Sequence, residues 1–262
     1  RVDTGYSHQD GFRQTGANRF NITPSLTWLI NNRMRVTVSE GFTRDRYTLD
    51  GGIPVGLLNI KDFPLDRKLN PTGDFQLSRD WQNQIVFQAN LTNRIWLRNS
   101  FFKRRNTDQY LDAETLAYVP ASNTITRAAL YYQHNRRPVQ DVTDIGGVFN
   151  FLGMKHTVMV SYEYSDQFNY SNRTGTTAGT SVAPPVSSLR VADFLNPNFV
   201  DPFQYPSSFP RSRVDYSAMS INAVSFQDQI RVNKRLAFNF SGRYTDFKRR
   251  THNDNWLNDV FV

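Results

Sequence analysis

Apolar and polar side chains alternate along several stretches of this chain. In residues 21–28, the even-numbered positions hold Ile, Pro, Leu and Trp, whereas the odd-numbered positions hold Asn, Thr, Ser and Thr. Residues 236–241 repeat the pattern, with Leu, Phe and Phe on the even positions and Ala, Asn and Ser on the odd ones. A period of two predicts β-strands whose two faces meet different environments.

The connections between these stretches alternate between very short and very long. Short turns are predicted at 31–33, 92–94, 153–155 and 233–234, and long loops at 48–80, 106–122 and 170–213. The last loop is rich in Pro, Gly, Ser and Thr and is predicted to have no regular structure of its own. Short turns at one end and long loops at the other are typical of an antiparallel transmembrane β-barrel. About nine strands are predicted, near 1–11, 18–29, 34–47, 81–92, 95–108, 122–151, 156–170, 213–231 and 235–250.

Composition narrows the class of protein. Only 39% of the 262 residues are hydrophobic, and no apolar run approaches the roughly 20 residues of a transmembrane helix. The chain therefore is not a helical membrane protein, whereas a barrel needs only every second residue to be apolar. The 20 Phe and 12 Tyr residues suit strands and interfacial girdles, and the absence of cysteine excludes disulfides. No leader sequence opens the chain at Arg1, so any signal peptide is expected to be absent from this sequence.

No pattern in the sequence indicates catalysis. The four histidines, at positions 8, 134, 156 and 252, form no metal-ligand pair at helical or turn spacing. No phosphate-binding loop or nucleophile elbow is present. We therefore expect neither catalytic residues nor a metal site.

Five short motifs resemble those of the TonB-dependent outer-membrane receptors, specifically the ferric-siderophore branch. Residues 24–28 (PSLTW) are followed after a strand by residues 50–54 (DGGIP), and residues 153–157 (GMKHT) form a turn that enters a strand. Residues 226–229 (FQDQ) and 242–246 (GRYTD) resemble the two halves of a hairpin found in the same branch. Each motif is weak alone, but their order and spacing together are more specific.

The resemblance implies a fold, a function and a location. Receptors of this kind have about 22 strands around a plugged lumen, so residues 1–262 are expected to be part of such a barrel, without its plug domain and closing C-terminal strands. The complete receptor is expected to lie in the outer membrane of a Gram-negative bacterium. It would bind a ferric siderophore as transported ligand, with no bound cofactor, and would contact the TonB complex through the missing plug region.

The alternation also predicts where charged side chains point. Seven cations have the same parity as the apolar residues of their strands, meaning that they occupy the same alternate positions, and they are expected to face outward. They lie roughly 8 to 15 residues above the short turns, or about 19 to 35 Å. This height is near the outer edge of the apolar band, which is about 25 Å tall. We predict that they bind lipopolysaccharide phosphates; the alternative is snorkelling cations without a specific ligand. These residues are Arg44, Arg46, Lys103, Arg105, Arg137, Lys248 and Arg250.

Three charged residues lie on the polar parity instead. Arg98, Arg243 and Glu163 are expected to face the lumen, where they would contact either a plug or barrel carboxylates, with Glu163 as a candidate partner for the arginines. For ligand capture, aromatic side chains on long loops and upper strands offer flat surfaces for a catecholate or hydroxamate chelate, with nearby Arg and Lys to neutralise an anionic complex. The candidates are Tyr47, Tyr110, Tyr118, Phe168, Tyr170, Phe203, Tyr205 and Phe209. Alternatively, these aromatics only pack the loops together.

Two rival classes make different predictions. A soluble, basic nucleic-acid-binding protein would use clusters such as residues 101–105 (FFKRR) for stacking and charge, and would enclose Phe238 and Phe240 in a protein core. A small porin-like barrel would need an even number of strands and pairing between the first and last of them. With the receptor interpretation, no nucleic acid is expected as a partner.

Overall fold

The computed structural model describes residues 1–174, 186–205 and 213–254. It is built almost entirely of β-strands, with one short α-helix, α1 (Val191–Leu195), and two 3-10 turns at Phe12–Gln14 and Val55–Asn59. No helix in these ranges is long and apolar enough to cross a membrane. The strands are β1 (Val2–Asp10), β2 (Gly16–Asn31), β3 (Met34–Tyr47), β4 (Phe75–Asn90), β5 (Ile95–Val119), β6 (Thr124–Phe151), β7 (Met154–Thr174), β8 (Val186–Arg190), β9 (Arg213–Arg231) and β10 (Ala237–Asp254).

Nine of these strands form one antiparallel sheet in chain order. β1 to β7 pair successively, β7 then pairs with β9 and β9 with β10, while the short β8 pairs separately with β6. Within the described residues, β1 pairs only with β2 and β10 only with β9, so the sheet is open. The all-β, antiparallel fold class is confirmed, and the closure that a complete barrel or a porin-like barrel requires is not seen in this part of the chain.

All three predicted long loops contain regular structure. Residues 106–122 are not a loop, because β5 and β6 stay paired from Ile95 to Val119, where Val119 lies opposite Thr124. The predicted loop 170–213 includes the end of β7, β8 and α1. β4 also begins at Phe75, earlier than predicted.

The pairing of the strands places apolar residues of neighbouring strands on the same face of the sheet. Opposite residues of paired strands point to the same side, and Val38 lies opposite Ile85, which lies opposite Phe101. We call this side the apolar face and the other the polar face. Phe238 and Phe240 on the apolar face are 48% and 57% exposed, so the nucleic-acid alternative, which required them in a core, is wrong on this point.

The short turns are staggered along the sheet. Through successive pairs, Met34 beside the β2–β3 turn is level with Ile145 and Phe226. The β6–β7 turn follows Phe151, six residues further than Ile145, and the β9–β10 turn follows Arg231, five residues further than Phe226. A sheet can close into a barrel only if its strands tilt and its register shifts in this way. The described part of the sheet therefore has a shift in register of the kind that closure requires.

Candidate functional site

The one cluster of buried apolar residues lies among the long connections rather than on the sheet, within the described residues. Residues 48–74 and 186–205 fold together over the end of the β5–β6 hairpin, and we call this assembly the cap. Its core consists of Leu57, Phe63, Leu69, Ile125, Val191 and Phe194, each less than a tenth exposed. Burial of this many apolar side chains makes the cap a packed structure rather than a set of independent loops.

Arg127 of β6 joins the two halves of the cap. Its side chain is 1% exposed and forms a two-pronged ion pair with Asp201, in which Nη2 and Oδ1 are 3.0 Å apart. Arg127 Nη1 also donates to the backbone oxygen of Leu69 at 3.2 Å, and the guanidinium carbon lies 5.4 Å from the Phe203 ring centroid. A planar guanidinium suits such fixed, multidentate contacts. Residue 127 has the parity of exposed Arg137 lower in the same strand, and at residue 127 the cap buries the side chain.

Arg67 makes a second connection between the two halves. Its guanidinium donates to the backbone oxygens of Phe194, Asn196 and Phe199, the last two at 2.6 and 3.1 Å. The same group lies 5.8 Å from the ring centroids of both phenylalanines. These carbonyls are at the end of α1, where helices leave acceptors without intrahelical partners. Arg67 therefore holds the α1 segment against residues 48–74.

A cavity of about 500 Å³ lies between residues 48–74 and the segment after α1. Ligand pockets typically have volumes of about 300–1,000 Å³. Its apolar side is formed by Phe194, Pro197, Phe199 and Val200, and its polar side by Thr48, Arg67, Lys68, Asn70, Thr72, Asp74 and Asp201. Aromatic surface beside a few polar groups is the usual composition of a small-molecule site. Within the described residues, no group of three or more His, Asp or Glu side chains forms a metal-binding cluster.

Asp74 is the most perturbed carboxyl group of the cavity. Its side chain is 1% exposed and pairs with Lys68 Nζ, whose side chain is 10% exposed. Burial raises the pKa of Asp74 to about 6, and the contact with Lys68 opposes part of that change. Burial also raises the pKa of the nearby Tyr205 hydroxyl. Asn70 connects the cavity to β5 by donating to Asp112 Oδ1 at 2.5 Å.

The candidate ligand-binding aromatics are distributed over three regions. Phe203 and Tyr205 belong to the cap and contact each other edge to face at 5.4 Å, and Tyr118 of β5 packs against the core of the cap. Tyr47 and Tyr110 lie on the polar face. Both are paired with Gln76 of β4, which lies between them, so they are at the same height in the sheet. Phe209 lies outside the described residues.

The last two candidates point away from both the cap cavity and the polar face. Phe168 and Tyr170 share the parity of the apolar face, where both contact Tyr216, with ring centroids 6.2 and 5.4 Å apart. Both residues therefore lie in an aromatic cluster on the apolar face.

Sequence reasoning missed several residues beside Tyr110. Tyr132 stacks on Tyr110 with ring centroids 5.1 Å apart and planes only 7° apart, and His134 contacts Tyr132 edge-on at 4.0 Å. Arg136 continues this row along β6 and lies 3.6 Å from Asp108. The signal was present, because Tyr132, His134 and Arg136 alternate at a period of two. It went unused because their partners on β5 were assigned to a loop.

The three predicted lumen-facing residues all lie on the polar face. Arg243 Nη2 of β10 donates to Glu163 Oε2 of β7 at 2.7 Å, across the intervening β9. This is the ion pair for which Glu163 was a candidate partner in the sequence. Arg98 lies between Gln88 and Asp144 in the register and is exposed. Whether these groups contact a plug stays a prediction.

The seven predicted outward cations all lie on the apolar face and are exposed. Arg137 and Arg250 are level with each other, because Arg137 pairs with Phe168, Phe168 with Ala218, and Ala218 with Arg250. Sequence analysis missed an eighth cation, Arg79, which lies opposite Arg44 and is exposed too. It was missed because residues up to 80 were assigned to a loop.

Solved structures of outer-membrane receptors share the fold of this sheet. The ferric preacinetobactin receptor BauA from Acinetobacter baumannii gives a TM-score of 0.75 at 15% identity, covering 99% of this chain and 37% of that one. The ferric-catecholate import receptor Fiu from E. coli K12 gives 0.76 at 15% identity, covering 95% and 40%. The ferripyoverdine receptor of the outer membrane of Pseudomonas aeruginosa gives 0.74 at 14% identity, covering 97% and 34%.

These matches concern the fold. No protein-family model and no curated protein matches the chain. At 14–15% identity the likeness to these three structures shows a shared fold, and the chain spans 34–40% of their lengths. The resemblance to siderophore receptors expected from the motifs is confirmed at the level of fold, and these neighbours are receptors rather than enzymes.

Proposed function

We propose that this chain is part of the barrel of an outer-membrane, TonB-dependent receptor that imports a ferric siderophore. The observation that carries the proposal is the sheet itself, with an exposed apolar face, a stagger suited to a tilted barrel, and a match to siderophore receptors over 95% or more of the chain. The cap, on the side of the long connections, supplies a cavity of suitable size. The cargo is transported, not transformed, so no catalytic residue is required.

The remaining parts of the receptor belong to this proposal as well. We propose that residues 1–262 are one barrel segment, and that further strands and a plug in the longer protein complete the barrel. The open edges at β1 and β10 support this, because unpaired strand edges are not tolerated in lipid. Contact with the TonB complex would belong to the plug and not to this segment.

Iron-limited growth tests the proposal. The complete receptor, expressed in an outer-membrane receptor-deficient Gram-negative strain, is expected to restore growth and uptake of radiolabelled iron with at least one ferric siderophore from a chemically diverse panel. Uptake should be lost in a matched strain without TonB. A porin-like barrel would instead let many small solutes enter, whether or not TonB is present. Such unselective, TonB-independent uptake would contradict a siderophore receptor.

We also propose that the exposed cations of the apolar face bind lipopolysaccharide phosphates. Four side chains from this set, Lys103, Arg105, Lys248 and Arg250, lie 8 to 13 residues beyond the first residues of β5 and β10, or about 19 to 30 Å above the short turns. A cation costs about 2–4 kcal/mol at the bilayer midplane and much less near its edge. Placement near the edge lets these cations meet phosphates at low cost.

Replacing Lys103, Arg105, Lys248 and Arg250 together by Gln is expected to lower the lipopolysaccharide that copurifies with the complete receptor, because four charge-assisted contacts to phosphate would be lost. The measurement is lipopolysaccharide per receptor after detergent purification. A matched control replaces four exposed polar-face cations, Arg19, Arg35, Arg98 and Arg249, by Gln. Equal lipopolysaccharide retention in both variants and the parent would contradict the proposed binding.

A further inference from the structure

The charged side chains that line the cap cavity cancel one another. Among the described lining residues, Arg67 and Lys68 contribute two positive charges, and Asp74 and Asp201 contribute two negative ones. Behind the lining, Arg127 pairs with Asp201 and Asp112 accepts from Asn70. The cavity therefore has no excess of positive charge when its carboxyl groups are ionised.

The two cations of the cavity are also already engaged. The Arg67 guanidinium donates to three backbone carbonyls, and Lys68, whose side chain is 10% exposed, pairs with Asp74. An anionic ligand would have to displace Asp74 from Lys68 before it could pair with that ammonium group. Breaking a buried ion pair leaves an uncompensated charge, which is costly in a protein interior. Lys68 therefore does not offer the role expected for neighbouring Arg and Lys, to neutralise an anionic complex, and most donors of Arg67 hold the segment after α1.

The polar face of the sheet shows the same balance. Three cross-strand ion pairs lie on it toward the long-connection end. In the pair between β2 and β3 the nearest nitrogen and oxygen atoms are 2.7 Å apart, and in the pair between β5 and β6 they are 3.6 Å apart. The pairs are Arg19 with Asp45, Arg104 with Asp80, and Arg136 with Asp108.

From this balance we infer that the cap cavity selects a ferric chelate without net negative charge, of the trihydroxamate type, over a trianionic ferric tricatecholate. Three hydroxamates carry three negative charges and neutralise Fe³⁺, whereas three catecholates carry six and leave a net charge of −3. The inference rests on the proposed function and specifies the ligand class of the same site. It differs from what the name of one structural neighbour, a ferric-catecholate import receptor, says of that protein.

The lining suits an uncharged, amphipathic complex. Phe194, Phe199 and Val200 offer apolar surface on one side, and the hydroxyl groups of Thr48 and Thr72 offer hydrogen bonds on the other. A neutral complex gains apolar burial without a large desolvation cost, whereas a trianion loses its hydration in a cavity that has no net positive charge to replace it. Charge balance and lining therefore favour the same ligand class.

Binding of two probes to the complete, detergent-purified receptor tests the inference. The probes are a neutral ferric trihydroxamate and a trianionic ferric tricatecholate, and isothermal titration at pH 7.5 measures both dissociation constants. We expect at least about tenfold tighter binding of the neutral complex. Thr72→Lys places a new cation at an exposed position of the cavity wall, and should improve binding of the trianion relative to the neutral complex by about five- to tenfold.

Two controls separate cavity charge from other effects. Thr72→Gln changes the same position without charge and should leave the ratio of the two dissociation constants unchanged. Val55→Lys adds the same charge to the cap at a side chain that is 76% exposed and outside the cavity lining, and should also leave the ratio unchanged. Tighter binding of the trianion by the parent receptor, or an equal ratio for Thr72→Lys and Val55→Lys, would overturn the inference. Binding of neither chelate class, nor of any other siderophore, would overturn the proposed function itself.

Discussion

Replacing Arg127 by Met is expected to release the segment 186–205 from the cap while the sheet stays intact. The substitution keeps most of the side-chain volume but leaves the largely buried carboxylate of Asp201 without its cation. Removing one partner of a buried ion pair costs about 3–5 kcal/mol. A loss of that size exceeds what the packing of one short helix and one short strand can compensate, so local opening of the cap should become frequent.

Hydrogen exchange of the complete receptor in detergent measures this opening. Amides in residues 186–205 should exchange at least a hundredfold faster in Arg127→Met, whereas amides in β3 to β5 should keep their protection. Arg137→Met is the matched control, because Arg137 lies in the same strand but is exposed and outside the cap. Unchanged exchange in residues 186–205 of Arg127→Met would show that the ion pair does not hold the cap together.

Raising the pH through the range of about 4 to 6 is expected to weaken the cap by about 3 kcal/mol through Asp74 alone. The pKa of Asp74 is about 6 in the folded cap against an ordinary value of 3.8, so the folded state binds a proton that the unfolded state has already released. A group with a raised pKa contributes its stability at low pH and loses it as the pH rises past the folded value. The difference between the two pKa values corresponds to about 3 kcal/mol.

Asp74→Asn isolates this contribution, because the amide keeps the size of the side chain and an acceptor for Lys68 but cannot ionise. The free energy of local opening, measured by hydrogen exchange in residues 186–205 at pH 4, 5, 6 and 7.5, should fall less steeply with pH in the variant than in the parent. Other carboxyl groups titrate in both proteins, so the difference between the two curves is the quantity of interest. Parallel curves would exclude Asp74 as a source of the pH dependence.

Sequence patterns predicted the sheet better than they predicted the cap. The strands next to short turns, such as β2 and β10, show clear alternation because one face meets apolar surroundings and the other does not. Residues 106–122 were predicted as a loop, whereas β5 and β6 stay paired there, so the contacts of Tyr132 and Arg136 with β5 were missed. Arg79 was missed because residues 48–80 were predicted as a loop, whereas β4 begins at Phe75.

The residues of the cap could be named from the sequence only as loop residues. Leu57, Phe63 and Leu69 carry no periodic signal, and their partners Val191 and Phe194 lie more than 100 residues away in the chain. Arg67 and Arg127 look like any other surface arginine in the sequence. Their engagement with carbonyls and with Asp201 depends on how two distant segments meet, which no local pattern encodes.

The sequence by itself determined the strands, their two unlike faces and the cations on the apolar one, because side-chain parity in a strand is a local property with a fixed period of two. Only the tertiary structure decided that the long connections form a folded cap, that Arg127 pairs with Asp201 while Arg67 donates to backbone carbonyls, and that Phe168 and Tyr170 point away from the cavity. Those outcomes depend on contacts between residues far apart in the chain. The burial and the ion pairing of each residue there depend on its partners, so they cannot be derived from one position at a time.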